Sequence, residues 1–166
     1  RIVTKLYVYK GRFFMLVVRK VNDRDSKVIF DWRNDDLTRK MFRTSELVQY
    51  EGHCKWFAAT LKNANRCLLM CERKDGEPIA VVRFDIEGQS AELSINLSPL
   101  ERGKGLAPKC LALAKDYFEK QYPFVSELIA EIKTLNLASR KSFEKVGFMI
   151  DKEEEGFWHL SISINA

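Results

Sequence analysis

From Leu97 to Pro108 the chain reads Leu-Ser-Pro-Leu-Glu-Arg-Gly-Lys-Gly-Leu-Ala-Pro. Glycines at Gly103 and Gly105 allow successive main-chain amides to point into one concavity. A helix starting directly after them adds its unpaired amides and the positive end of its dipole. Together these make an anion site that needs no metal. Arg102 and Lys104 are expected to add charge. Lys104 is followed by Gly105 where a nucleoside-triphosphate loop has serine or threonine, so that class is excluded.

The flanking elements must place this turn between a strand and a helix. Phe13 to Arg19 is aromatic and β-branched, hence a strand. About Arg24 to Arg33 reads as a helix with Asp23 and Asp25 as cap candidates, closed by Asn34-Asp35-Asp36. A polar connection with a short apolar cluster at Met41 and Phe42 leads to a second helix, Tyr50 to Leu61. Three strands follow: Cys67 to Glu72, Pro78 to Ile86 and Ala91 to Leu97. Asp75-Gly76 and Glu87-Gly88 are hairpin signals between them, which makes the strands an antiparallel meander. A dinucleotide fold would need its glycine turn early in a parallel βαβ unit, so that class is excluded as well.

After the turn, Pro108 to Lys120 is an amphipathic helix with Cys110, Leu111, Ala114, Tyr117 and Phe118 inward; proline suits its first turn. Glu127 to Ile132 is a strand, Leu137 to Lys145 a helix closed by Gly147, and Phe157 to Ile164 a final strand. The order of elements predicts a mixed α/β fold. Residues 1–14 read as an N-terminal extension or a lead-in to the first strand, with Met15 a candidate start, and residues 15–166 as a single domain.

With 166 residues the chain can bury a core without staples. The net charge of +5 is spread among acids, with no basic block, so no nucleic-acid partner is expected, while an anionic ligand suits it. No segment is long and apolar enough to span a bilayer. The first fourteen residues lack a small-residue cleavage site and do not read as a signal peptide. Cys54, Cys67, Cys71 and Cys110 form no C-x-x-C pair, and only two histidines accompany them, so no metal is expected. Reduced thiols fit a cytoplasmic protein.

At Arg102 to Ala107 the sequence resembles the GNAT superfamily of acetyltransferases, whose pattern is Q/R-x-x-G-x-G/A. A second stretch, Asn136-Leu137-Ala138-Ser139 through Phe143-Glu144-Lys145-Val146-Gly147-Phe148, is similar to the family's N-x-x-(A/S)…(Y/F)-x-x-x-G-F segment. The resemblance covers about Phe13 to Ile164. It implies a central, largely antiparallel sheet of about six to seven strands with four helices, splayed at a cofactor cleft. It further implies acetyl-CoA as co-substrate. The diphosphate would lie on Arg102, Gly103, Lys104, Gly105, Leu106 and Ala107, and the pantetheine arm along the main chain of Leu97 and Ser98. Asn136, Ser139 and Phe143 would complete the cofactor side.

Acetyl transfer needs a neutral amine, a donor to the thioester oxygen and stabilisation of the departing thiolate. Glu92, Ser94 and Asn96 alternate with Leu93, Ile95 and Leu97, so the polar residues share one sheet face. Glu92 and Glu131, with Ser94 beside them, are the catalytic candidates, Glu131 slightly ahead of Glu92 as base. Many relatives carry tyrosine where Phe143 stands; without that hydroxyl, Ser139, Ser142 or water is left to protonate the thiolate.

Asp31-Trp32-Arg33-Asn34-Asp35 and Glu51-Gly52-His53-Cys54-Lys55-Trp56-Phe57 resemble elements of two bacterial branches. One acetylates amino-sugar nucleotides for pseudaminic-acid-type glycans; the other acetylates ribosomal-protein N-termini. The first implies an acceptor site at Trp32, Arg33, Arg39, Phe42 and Arg43, with arginine for a diphosphate and aromatic rings for a base or sugar. Core packing is the plainer expectation for Trp32 and Trp56, and a helix-surface or capping place for His53. A small-molecule amine, best an amino-sugar nucleotide, is the leading acceptor, with the protein a monomer or homodimer. Peptide N-terminal acetylation and a non-catalytic acyl-CoA-binding module are the alternatives. A sugar enzyme should show a compact basic pocket, and a protein enzyme an open groove lined by acids.

Overall fold

The computed structural model describes residues 2–9 and 11–165. Its elements are β1 (Val3–Tyr9), β2 (Arg12–Lys20), α1 (Ser26–Asn34), α2 (Asp36–Met41), α3 (Tyr50–Lys62), β3 (Arg66–Arg73), β4 (Pro78–Glu87) and β5 (Ser90–Leu97), followed by α4 (Ala107–Gln121), β6 (Glu127–Lys133), α5 (Leu137–Lys145), β7 (Met149–Glu154) and β8 (Phe157–Ser163). The eight strands form one sheet in the order β1-β2-β3-β4-β5-β6-β8-β7. Every neighbouring pair is antiparallel except β5 and β6, which run parallel.

That parallel pair is short. It joins Ser90 to Glu127, Ala91 to Leu128 and Glu92 to Ile129, and then ends. Beyond it β5 stays on β4 as far as Leu97, and β6 stays on β8 as far as Lys133. The sheet is therefore split in the middle, with α4 beginning just past the free end of β5.

Period-two alternation gives the sheet two apolar faces. Leu69, Val82, Phe84 and Leu93 face α4 and α5 and share the main core with Leu111, Tyr117, Phe118 and Phe143. Phe84 and Phe118 stack with ring centroids 4.0 Å apart. Burying rings of this size contributes about 2–3 kcal/mol each. On the opposite face Leu68, Met70 and Val81 pack with Ile29, Trp32 and Phe57 of α1 and α3. Cys67, Cys71 and Cys110 are buried as small apolar residues. Among the described residues, no helix is long and apolar enough to cross a membrane.

The sheet has one strand more than the upper expectation, and the helices number five rather than four. Within 1–14, the stretch read as an extension or lead-in, β1 pairs along β2 from Val3↔Val18 to Tyr9↔Arg12. β7 carries no apolar alternation and is exposed throughout; it exists because β8 offers it an edge. Its hairpin turns at Glu155 and Gly156, both at positive φ, the backbone of a two-residue hairpin loop. α2 grows where a stop was read. Asp35 ends α1 and caps α2 at once, accepting from the Thr38 amide at 3.0 Å.

Candidate functional site

The turn ahead of α4 has the backbone its glycines allow. Gly103 and Gly105 sit at φ 72° and 68°, which L side chains rarely adopt. A Cβ built on either would meet no atom within 4 Å, so the turn lies against open space. Among the described residues no acceptor takes the amides of Gly103, Lys104, Gly105 or Leu106. α4 begins at Ala107 with no side-chain cap, and its first amides face the same end. Glu101 holds the turn from beneath: it is 4% exposed and bonded to Arg73 at 2.7 Å.

The side chains contribute less charge than expected. The Arg102 guanidinium turns away to Asp35 and to Thr38 Oγ1, the latter at 2.8 Å. Lys104 lies 3.4 Å from Glu101. Positive potential at the turn therefore comes mainly from main-chain amides and the α4 dipole. Arg102 is also the largest influence holding the Asp35 carboxyl below its ordinary range.

Along the split edge, Ser98 donates its amide to Ile79 O at 2.7 Å. The alternation of an antiparallel ladder then turns the amide and carbonyl of Leu97 towards the split. Of the two main chains expected to receive the pantetheine arm, the Ser98 amide is thus already bonded, and Leu97 is the one available. On the far side, Asn136 caps α5 by accepting from the Ser139 amide at 3.2 Å. Phe143, expected at the cofactor, is 2% exposed and packs edge-to-face on Phe148 at 5.0 Å. Its ring belongs to the core. Ser142 Oγ is bonded to Ala138 O at 2.9 Å.

A cavity of about 250 Å³ lies between α1, α3 and the sheet. Ser94, Ile95 and Asn96, all in the split half of β5, form one wall, and Arg33, Phe42, His53 and Trp56 form others. Of the expected acceptor residues, Arg33 and Phe42 line it, stacked with the guanidinium 4.1 Å from the ring centre. Trp32 is 6% exposed and is core. Arg39 is tied to Ser45 O at 2.9 Å and Asp36 at 2.6 Å, away from the cavity lining. Arg43 pairs with Glu131 and lies over the Phe157 ring at 4.5 Å.

Two cavity residues were not anticipated. Arg83 stands opposite Ser94 on β4 and reaches into the same space. Its signal was a lone cation inside the apolar run Ile-Ala-Val-Val-Arg-Phe. His53, expected on a helix surface, is 2% exposed, with Nε2 2.9 Å from Ser26 O. Burial lowers its pKa, so the ring is neutral near pH 7. Burial, then Arg39 and Arg83, also pull Arg33 below the usual arginine range.

Neither acidic candidate lines the cavity. Glu92 is exposed at the last pair before the split, beside Ile129. Glu131 lies two residues further along β6, on the same face by strand alternation. It is half-buried between Arg43 and His159, whose Nδ1 is 3.8 Å away.

The sequence matches the model of the acetyltransferase (GNAT) domain over residues 15–149. Several solved structures share the fold. A domain from Methanocaldococcus jannaschii superposes with a TM-score of 0.79 at 20% identity, covering 91% of this chain and 99% of its own. Spermidine N-acetyltransferase from Vibrio cholerae, solved with CoA and spermine, gives 0.79 at 16% identity, covering 90% and 95%. AAC(6')-Ib, solved with ribostamycin and coenzyme A, gives 0.75 at 15% identity, covering 89% and 93%. No curated protein matches by sequence. A strand pair that parts beside a glycine turn, within a domain of this family, defines an acyltransferase. The chain belongs to the GNAT acetyltransferases, enzymes that use acetyl-CoA.

Proposed function

We propose that this protein is an N-acetyltransferase whose acceptor is the primary amine of a small molecule, best an amino-sugar nucleotide. The observation that carries the reading is the compact cavity of about 250 Å³ built on the split half of β5. A sugar-sized body fits such a volume, whereas a polypeptide N-terminus calls for an open groove with acids along it. The related folds bound to spermine and to ribostamycin carry small amines, which agrees with this choice.

Acetyl-CoA supplies an activated thioester. The amides from Gly103 to Leu106 and the start of α4 suit its diphosphate, and the Leu97 main chain suits the pantetheine arm as an added strand would. Asn136 and Ser139 border the opposite side. Glu131 or Glu92 takes the amine proton, directly or through water, and Ser94 lies on the cavity wall near both strands. For Glu131 to act, it must exchange Arg43 for that water or amine.

Two measurements test the reading. Saturating acetyl-CoA should raise the melting temperature. Free thiol should then appear with nucleotide-linked 4-amino sugars faster than with basic peptides. Peptides outrunning every amino sugar would replace the small-molecule reading with N-terminal acetylation.

A further inference from the structure

The wall of the acceptor cavity is electrically one-sided. Among the residues that line it, two are arginines and none is an acid. Arg33 donates through Nη2 to Thr44 O at 3.2 Å, but among the described residues its buried Nη1 has no hydrogen-bond partner. Its charged neighbours are other cations, Arg39 and Arg83. Arg83 lies 2.9 Å from Asp85 through Nε, yet Asp85 also serves Arg66 at 3.2 Å. Two guanidinium groups thus share one carboxylate, and among the described residues no acid pairs with Arg33. The remaining polar lining, Ser94, Asn96 and neutral His53, offers no counter-charge.

Half-buried like charges with an orphaned donor are unfavourable unless a ligand balances them. Guanidinium forks match the geometry of carboxylate and phosphate oxygens. Taking the cavity as the acceptor site, as proposed above, we infer that it selects amines carrying an oxyanion, a carboxylate or a phosphoryl group, held by Arg33 and Arg83, and rejects polyamines. A spermidine-like chain would bring further positive charge into a space that has no acid. The apolar remainder, with Ile29, Val48 and Leu68, holds the carbon body of the acceptor.

The test is titration calorimetry of the CoA-saturated protein with four short amines. β-Alanine carries a carboxylate, 2-aminoethylphosphonate a phosphoryl group, ethanolamine no charge beyond its ammonium, and 1,3-diaminopropane a second cation. At least one anionic amine should bind about tenfold tighter or more than the other two. The stronger of the two anions names the oxyanion. Arg33→Met and Arg83→Gln should each erase most of that margin, and Arg33→Lys, which keeps charge without the fork, should leave part of it. Diamine or ethanolamine binding as tightly, no binding of either anion at millimolar concentration, or a margin that survives both substitutions would overturn the inference. The wild-type comparison decides even where a variant does not fold. The amines are also titrated without CoA. An anion margin there, with no melting-temperature rise from acetyl-CoA, would sink the acetyl-transfer reading and leave the oxyanion selectivity standing.

Discussion

Arg102 and Asp35 connect the glycine turn ahead of α4 to the cap of α2, 67 residues away in sequence. Thr38 continues the link, accepting from Arg102 at 2.8 Å and donating to Asn96 Oδ1 at 3.4 Å. Asn96 lies in the cavity wall. The turn assigned to the diphosphate and the cavity assigned to the acceptor therefore share one hydrogen-bonded chain.

Asp35→Ala removes both an N-cap and the partner of Arg102. Stability should fall by about 1–3 kcal/mol, most of it from the cap. Arg102→Ala should lower it less. Because the two side chains bond to each other, a double-mutant cycle in urea should show coupling of about 0.5 kcal/mol or more. Strict additivity would show that the pair does not act as a unit.

Acid should loosen the fold through Asp25. Burial alone would raise this carboxyl, but the Arg19 fork at 2.8 and 2.9 Å and the Asn22 amide at 2.8 Å outweigh it, so the folded pKa is depressed. A depressed pKa gives stability that is present at neutral pH and is lost as pH falls from the ordinary carboxylate range towards the folded value. Asp25→Asn should destabilise by about 3 kcal/mol at pH 7 and flatten the acid side of a stability-against-pH curve. A variant curve parallel to wild type across that range would refute the assignment.

The parts of this protein that were readable in the sequence are those with local signals. Gly103, Gly105 and Pro108 mark the turn and the helix start, and the spacing of Cys110, Leu111, Ala114, Tyr117 and Phe118 marks the face that α4 buries. β7 was not readable, because nothing in Met-Ile-Asp-Lys-Glu-Glu faces a core and only the β8 ladder holds it. The same holds for the site. Arg33 and Phe42 came from what a family resemblance around Trp32 implies, but Arg83 joins them only through the stacking of α1 on the sheet. The pairing of Arg43 with Glu131 spans 88 residues and follows from where the loop after α2 crosses β6. Trp32 has the look of a ligand residue and is core because its helical spacing points it at Ile29 and Phe57.

The two acidic candidates can be separated by rate. Glu131→Gln should lower kcat about a hundredfold or more, as loss of a general base does. Glu92→Gln, exposed at the mouth of the split, should change kcat by less than about threefold. The reverse order would move the base to Glu92 and leave Glu131 as the residue that fixes Arg43.

Gly105 separates backbone strain from ligand contact. An alanine there meets no neighbour, so Gly105→Ala should reduce stability only by the strain of φ 68°, about 1–2 kcal/mol. Gly105→Glu adds the same strain, plus bulk and a negative charge where the diphosphate is assigned. It should abolish the rise in melting temperature with acetyl-CoA, while its melting temperature without cofactor stays close to that of Gly105→Ala. Glutamate repels the diphosphate and crowds the amides from Gly103 to Leu106, and neither effect reaches the buried side of the turn at Glu101. If Gly105→Glu still answers to acetyl-CoA as wild type does, the diphosphate lies elsewhere and the cofactor assignment for this turn fails.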